Sequence, residues 1–468
     1  MRQSGRTARR ALAMVTVLIA GVALSGCFAE PAPEVTIFGS WTGAEKTEFE
    51  GVLKKFEEEP DIKKLRIKTH YEGHRDVSQV LQVGIERGRP PDVAVLPRVN
   101  DLQQYVNAGR LVSLTAVLGA DAAVTPQLIN LARRTEPYGG DATYGVAIAT
   151  HLKSLVWYDP AKLGPTPPQT WQEMVDQTRR TIGDQQVRWC LAMSSPPVSG
   201  WPGTDWIEDI LLHRSGAGVY ERWTRGDLSW TSEEFTGAWT TWGDLLADSS
   251  PGTDRASLFT TFEMAAKGLF PGGATADGKP TESSAAKGCH LDHQGSFVIR
   301  EYRKRLAELP AQAPGGLPPF TFFPTPPLPG PQANSPLQEV SDDVAAMFRD
   351  TRPARLLMRY LAGEVAQETR REKADGVAFS RRATPAEEYE DPVTRAVAQR
   401  LSTSTLCWDG SDLLPATMAT AFERAVMVFL KDQTRLAPLL DELEALRQAV
   451  PESEWMSLGC VPAGQEET

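Results

Sequence analysis

The residues most able to bind something are tryptophans set beside carboxylates. The chain carries 12 tryptophans. Trp41 lies in Gly39-Ser40-Trp41-Thr42-Gly43-Ala44-Glu45, and Trp201 and Trp206 lie in Gly200-Trp201-Pro202-Gly203-Thr204-Asp205-Trp206. Flat indoles cover apolar C–H faces, and carboxylates accept pairs of hydroxyls, so this pairing suits a polyhydroxylated ligand. The candidate contacts are Trp41, Glu45, Trp201, Asp205 and Trp206. Arg75 and Asp76 join them at a strand end, His293 and Gln294 after a short strand-like run, and Asp409 and Asp412 beside Trp408. Each has a plainer reading. Glu45 fits the first turn of a helix, where the dipole favours an acid. Asp205 or Asp412 could start a helix, Arg75 and Asp76 could pair on the surface, and Trp206 could pack in a core.

Other chemistries fit less well. Glu45 and Asp205 could form the carboxylate pair of a glycoside hydrolase, but such a pair also suits plain binding. Gly273-Ala274-Thr275-Ala276-Asp277-Gly278-Lys279 approaches a phosphate loop. Pro280, however, stands where a Mg²⁺-binding hydroxyl is needed. Neither a G-x-S-x-G elbow nor an H-E-x-x-H motif is present. Cys289-His290-x-x-His293 lacks the second cluster that a tetrahedral metal site requires. No catalytic residue, metal or cofactor is expected.

The ends of the chain bear on compartment. Arg2, Arg6, Arg9 and Arg10 precede an apolar run, Ala11–Ala23, and then Leu24-Ser25-Gly26-Cys27. That order predicts a cleaved leader over residues 1–26 and a lipid-modified Cys27, followed by a tether to residue 33. Without the leader the formal charge of −11 becomes about −15, which argues against nucleic acid as partner. Four cysteines remain in an exported chain, Cys190, Cys289, Cys407 and Cys460, enough for two disulfides in three pairings. Cys190–Cys289 with Cys407–Cys460 is favoured, because it keeps each bridge local to one part of the later chain.

The elements that must hold these residues alternate. Val35–Phe38, Leu65–Lys68 and Val93–Leu96 read as strands. Between them, Phe49, Val52, Leu53 and Phe56, then Val77, Val80, Leu81 and Ile85, mark helical faces. Strand and helix in turn predict a parallel sheet with crossover helices, its ligands lying beyond the strands' carboxyl ends. Further on, Leu155–Tyr158 and Arg188–Met193 read as strands. Gly200–Trp206 reads as a loop entering a helix, and Thr170-Trp171-Gln172-Glu173 and Thr231-Ser232-Glu233-Glu234 read as capping boxes. The proline-rich stretch 310–336 holds a strand around Phe320–Phe323. The remainder reads as helical over 341–371, 392–401, 412–430 and 434–448.

The order of five segments resembles the extracellular solute-binding proteins of ABC importers, in the branch that takes maltose and α-glucosides. They are Val35–Glu45; Gly88-Arg89-Pro90-Pro91-Asp92-Val93 with Ala108–Leu114; Lys153–Tyr158 with Pro168–Trp171; Gly200–Asp209; and Gly288–Phe297. The resemblance implies an α/β, two-lobed venus-flytrap fold with a helical C-terminal part. It places the N-terminal lobe in 34–145 and 325–375, the C-terminal lobe in 146–320 and 380–460, and a tail in 461–468. Crossings fall near Tyr144–Ala149, Thr321–Pro327 and Asp375–Arg382. It further implies an extracytoplasmic, lipid-anchored monomer. Such a protein would bind a sugar or oligosaccharide without chemistry and present it to the permease subunits of an importer. A binder of peptides or polyamines is the alternative. Pro97-Arg98-Val99-Asn100 departs from the family pattern, so the ligand loop of that lobe is expected to differ.

Overall fold

A computed structural model describes residues 32–118, 128–132, 141–182, 185–196, 199–249, 254–272, 288–309, 318–329, 337–380 and 385–462. The leader, Cys27 and most of the tether lie outside these residues. So do the loop 273–279, the stretches 310–317 and 330–336, Arg382 and most of the tail.

Twelve strands are described: β1 (Glu34–Gly39), β2 (Lys68–Gly73), β3 (Val93–Leu96), β4 (Leu128–Ala132), β5 (Asp141–Leu152), β6 (Leu155–Tyr158), β7 (Thr181–Ile182), β8 (Gln185–Gln186), β9 (Leu291–Gln294), β10 (Thr321–Pro324), β11 (Leu337–Met347) and β12 (Thr405–Trp408). Seven of them form the larger sheet, in the order β2-β1-β3-β11-β5-β4, with β12 added beside β11. Pairing is parallel among β2, β1 and β3, whereas β11 runs antiparallel to β3 and β5. Buried side chains alternate across this sheet. Val93, Val95, Ala345 and Met347 enter a core shared with Phe49, Val52, Leu53 and Phe56 of the Gly43–Glu58 helix. Ala94, Leu96, Val344 and Ala346 face the opposite core, with Val77 and Leu81. With both faces covered, the central strands β3 and β11 are buried along their length and lose the alternation of a half-exposed sheet, which β1 nearer the edge keeps.

A second sheet, β10-β6-β9, is antiparallel. Val156 and Tyr158 of β6 point into an aromatic core with Trp223, Trp230, Trp239 and Trp242, while Leu155 and Trp157 point into another with Tyr302 and Phe320. The N-terminal lobe is built around the parallel strands and the C-terminal lobe around the second sheet together with the adjoining ends of β5, β11 and β12, and residues from Pro33 onward make one compact unit. Disulfides join Cys190 to Cys289 and Cys407 to Cys460.

Several elements differ from the sequence expectation. The stretch expected to be helical from 341 to 371 begins as strand β11, and its helices are Arg352–Leu361 and Glu364–Lys373. That strand carries Glu339, Asp342 and Asp343, residues of a type depleted in strands. Inside the sheet they are held by Ser154 (2.6 Å), Thr150 (2.5 Å) and His151 (3.0 Å). The strand placed at Leu65–Lys68 starts only at Lys68, because Arg66 takes a left-handed conformation (φ 54°) that closes the Pro60–Leu65 helix. Arg188–Met193 is not a regular strand. One edge of β9 is taken by β6, and the segment makes a single bridge, Trp189 to Leu291. The first capping expectation is met, Thr170 accepting from the Glu173 amide at 3.2 Å, whereas the second cap falls one residue later than read, on Ser232, which accepts from the Phe235 amide at 3.2 Å while Thr231 turns to Ser229.

The first passage between sheets comes later than Tyr144–Ala149. β5 stays in the larger sheet to Leu152, Lys153 and Ser154 turn the chain, and β6 begins at Leu155. Ser154 sits at φ 60°, and Asp375 (φ 51°) with Gly376 (φ 73°) mark the third passage, where the Thr150 amide donates to Phe379 O at 3.0 Å.

Candidate functional site

The residues that could meet a ligand gather where the two lobes face each other. Trp201 is not on a loop: it opens the Trp201–Ser215 helix, with Pro202 in the first turn. Gly200 precedes it at φ 111°, and a Cβ there would stand 2.4 Å from the Glu423 carbonyl oxygen, so only glycine lets the helix start against that backbone. One turn on, Asp205 points at Lys153. The Lys153 Nζ lies 2.8 Å from Asp205 Oδ2, 2.8 Å from Asp409 Oδ2 and 5.0 Å from the centre of the Trp201 ring. Asp409 comes from the end of β12, where its other oxygen accepts from Ser411 Oγ at 2.8 Å and from the Asp412 amide at 3.3 Å.

Burial sets the charge of this cluster. It pushes Asp205 up to about 7, against the pull of Lys153. It also pushes Glu208 and Asp412 upward, and Asp409 adds to both shifts by like-charge repulsion. Burial acts in the same direction on Asp409, but the Lys153 charge and hydrogen bonds outweigh it and hold Asp409 below its ordinary range. Lys153 is well above its own, because the two aspartates overcome its desolvation. Lys153 and Asp409 therefore make the central ion pair of this cluster, and burial disfavours charge on the carboxyls around it. Oxygens of Asp205, Glu208 and Asp409 lie within 4.8 Å of one another, a spacing a hard cation could use, but the Lys153 ammonium already supplies the positive charge there.

A second group faces it from the N-terminal lobe. Trp41 is buried, its Nε1 donating to Asp343 Oδ2 at 3.3 Å, and the Arg370 guanidinium lies over its ring at 4.0 Å. His151 Nε2 stands 3.0 Å from the same Asp343 oxygen. Phe297 joins the two groups, edge-on to His151 (5.7 Å) and to Trp201 (5.8 Å). Two ion pairs cross between the lobes nearby: Arg300 with Glu48 (2.7 Å) and Glu45 (3.5 Å), and Arg98 with Glu423 (3.4 Å). Burial raises Glu45, although Arg300 opposes it.

Of the residues singled out in the sequence, the structure brings Trp201, Asp205, Asp409 and Asp412 around Lys153, and places Trp41 and Glu45 on the opposite wall. Trp206, His293 and Gln294 stand one layer back, inside the C-terminal lobe. Trp206 stacks on His293 at 3.9 Å, and His293 Nε2 lies 3.1 Å from Asp209, which also pairs with His213 at 2.9 Å. Gln294 accepts from Trp157 Nε1 through its backbone oxygen at 2.9 Å. Arg75 is exposed, and Asp76 caps the Val77–Glu86 helix by accepting from the Gln79 amide at 3.0 Å. Lys153, His151, Phe297, Asp343 and Arg370 were not anticipated. Lys153 had one visible signal, a lone charge between the apolar runs that end β5 and begin β6.

The sequence profile of the bacterial extracellular solute-binding proteins matches residues 40–368. The osmoprotective compounds-binding protein GgtB of Synechocystis sp. is 28% identical over 428 residues, covering 87% of this chain and 92% of that one. The alpha-glucosides-binding periplasmic protein AglE of Rhizobium meliloti is 26% identical over 413 residues, 85% of this chain and 83% of that one. Among solved structures, the bacterial solute receptor AcbH, with a substrate preference for β-D-galactopyranose, superposes with a TM-score of 0.68 at 17% identity, over 89% of this chain and 99% of that one.

Proposed function

The chain belongs to the family of bacterial extracellular solute-binding proteins, and from that premise we propose that it captures a neutral sugar or short oligosaccharide between its lobes and delivers it to the permease of an ABC importer. The observation that carries this is the Lys153 cluster. An indole face lies beside an ammonium and the carboxyls gathered round it, the donors, acceptors and flat surface that a ring with an apolar face and a rim of hydroxyls requires. AglE, named for alpha-glucosides, and AcbH, with its preference for β-D-galactopyranose, support the same class. A polyamine suits this wall less well, because an ammonium is already fixed there by both aspartates. Binding proceeds by lobe closure without bond making: of the Glu45–Asp205 pair that a hydrolase would use, Asp205 is engaged by the Lys153 ammonium and Glu45 by Arg300. Cys27, lipid-modified on the outer face of the membrane, keeps this monomer beside its permease.

A thermal-shift panel of galactose, trehalose, sucrose, maltose, maltotriose, spermidine and dipeptides tests the assignment. A cognate sugar at about 100 times its Kd stabilises the fold by about 2.7 kcal/mol. Stabilisation by spermidine or peptides alone overturns the sugar reading, and loss of the sugar to hydrolysis overturns the binding-only reading.

A further inference from the structure

We propose that Arg300 is a closure clamp: through Glu48 and Glu45 it holds the two lobes together and so sets ligand affinity without touching the ligand. Arg300 lies on the Ile299–Ala307 helix, which packs Ile299 and Tyr302 into the C-terminal-lobe core with Trp157. Glu45 and Glu48 lie on the Gly43–Glu58 helix, whose Phe49 and Val52 are in the N-terminal-lobe core. The contact therefore exists only while the lobes are together. Its geometry is that of a fork: Arg300 Nε donates to Glu48 Oε1 at 3.2 Å and Nη2 to Glu48 Oε2 at 2.7 Å, while Nη1 reaches Glu45 at 3.5 Å. Two parallel, charge-assisted bonds give both strength and a fixed lobe-to-lobe register. The side chains of Arg300 and Glu48 are 14% and 13% exposed, so the pair is shielded from salt yet not stripped of all water. Partial burial of this kind avoids the full desolvation cost that makes deeply buried pairs break even.

The clamp is wired to both walls of the crevice. Phe297, one turn before Arg300, touches the His151 and Trp201 rings. Glu45 lies in the first turn of the helix that follows Trp41. A guest that seats Phe297 and Trp41 thus also seats the two ends of the ion pair, and a pair that favours the shut state raises the fraction of molecules ready to hold the guest. The link to affinity rests on the binding function proposed above; the clamp itself does not.

The test measures closure without any ligand. In a Cys27→Ser chain, Ala44→Cys and Glu301→Cys put one thiol on each helix. The initial rate of bridging by a short bismaleimide then follows the time the lobes spend together. Arg300→Gln is expected to slow bridging about three- to tenfold, the range for one well-made ion pair across an interface. Glu48→Gln should do the same, the double variant should be no slower than either, and Glu48→Arg with Arg300→Glu should recover much of the rate. An unchanged rate in Arg300→Gln, or a charge swap as slow as the single variants despite a native circular dichroism spectrum, overturns the clamp. Dissociation of maltose or trehalose, whichever binds the parent, should quicken by the same factor. If no sugar binds the parent, the sugar assignment fails while the bridging result still decides the clamp.

Discussion

At the scale of single residues, the interior holds charges that only their partners make tolerable. Lys153→Met would leave Asp205 and Asp409 buried around an apolar side chain. The expected cost is about 3–5 kcal/mol, the usual penalty for removing one partner of a buried pair, seen as a lower urea midpoint. Trp201→Ala removes the indole that flanks the cluster, and calorimetry with the cognate sugar should show a loss of about 1–3 kcal/mol in binding with little change in fold. Asp292 titrates instead of pairing. It lies in the C-terminal lobe with the Tyr302 hydroxyl at 2.7 Å, and burial lifts its carboxyl to about 7. Unfolded, it would titrate near its usual value of about 3.9. Across that interval the native state holds a proton the unfolded chain has lost, so this contribution to stability is whole at low pH and disappears as pH rises through about 7. Asp292→Asn should flatten the fall in unfolding free energy from about pH 5 to 7 by up to about 1.4 kcal/mol per unit. An equally steep fall in the variant would show that Asp292 is not the group responsible.

At the scale of elements, the sequence was legible where one physical rule governed. The Gly43–Glu58 helix buries the four residues its periodicity marked, and β3 spans the apolar run it was read from. Reading failed where tertiary context decided. β11 is rich in acids and alanine, and nothing local announces a central strand. Its partners β3, β5 and β12 come from residues far away in the chain, and its carboxylates are satisfied by Ser154, Thr150 and His151. The site divides the same way. Trp201 and Asp205 share a helix turn and could be read together, whereas Arg370 reaches Trp41, and Asp343 reaches His151, only through folding. The Cys407–Cys460 bridge acts at this scale too. It fastens β12 to the closing segment, where Leu406 and Val461 exchange backbone hydrogen bonds of 2.7 and 2.8 Å. Replacing both cysteines by alanine should cost about 2–5 kcal/mol, read from the denaturation midpoint under oxidising conditions.

At the scale of the whole molecule, function lies in the relation between two sheets. Two cores belong to the larger sheet alone, the other two also draw Leu152, Leu337, Val340 and Cys407 from its strands, and the candidate site lies where the chain passes between the sheets. Ser154 and Asp375, both at positive φ without being glycine, stand at two of those passages, where lobe movement must be absorbed by a few backbone angles. The alternation of strand and helix in the first hundred residues pointed to this class of architecture. The number of lobes did not follow from periodicity, which is blind to which sheet a strand joins.

β11 also governs when the protein can exist as a folded object. Because it sits between β3, β5 and β12, the larger sheet joins residues from Glu34 to Trp408. A nascent polypeptide that has emerged only as far as residue 330 has no middle to that sheet, and its early strands have nothing to close upon. Closure of that sheet must wait until Leu337–Met347 has been made, so it cannot lock the chain before most of the polypeptide is present.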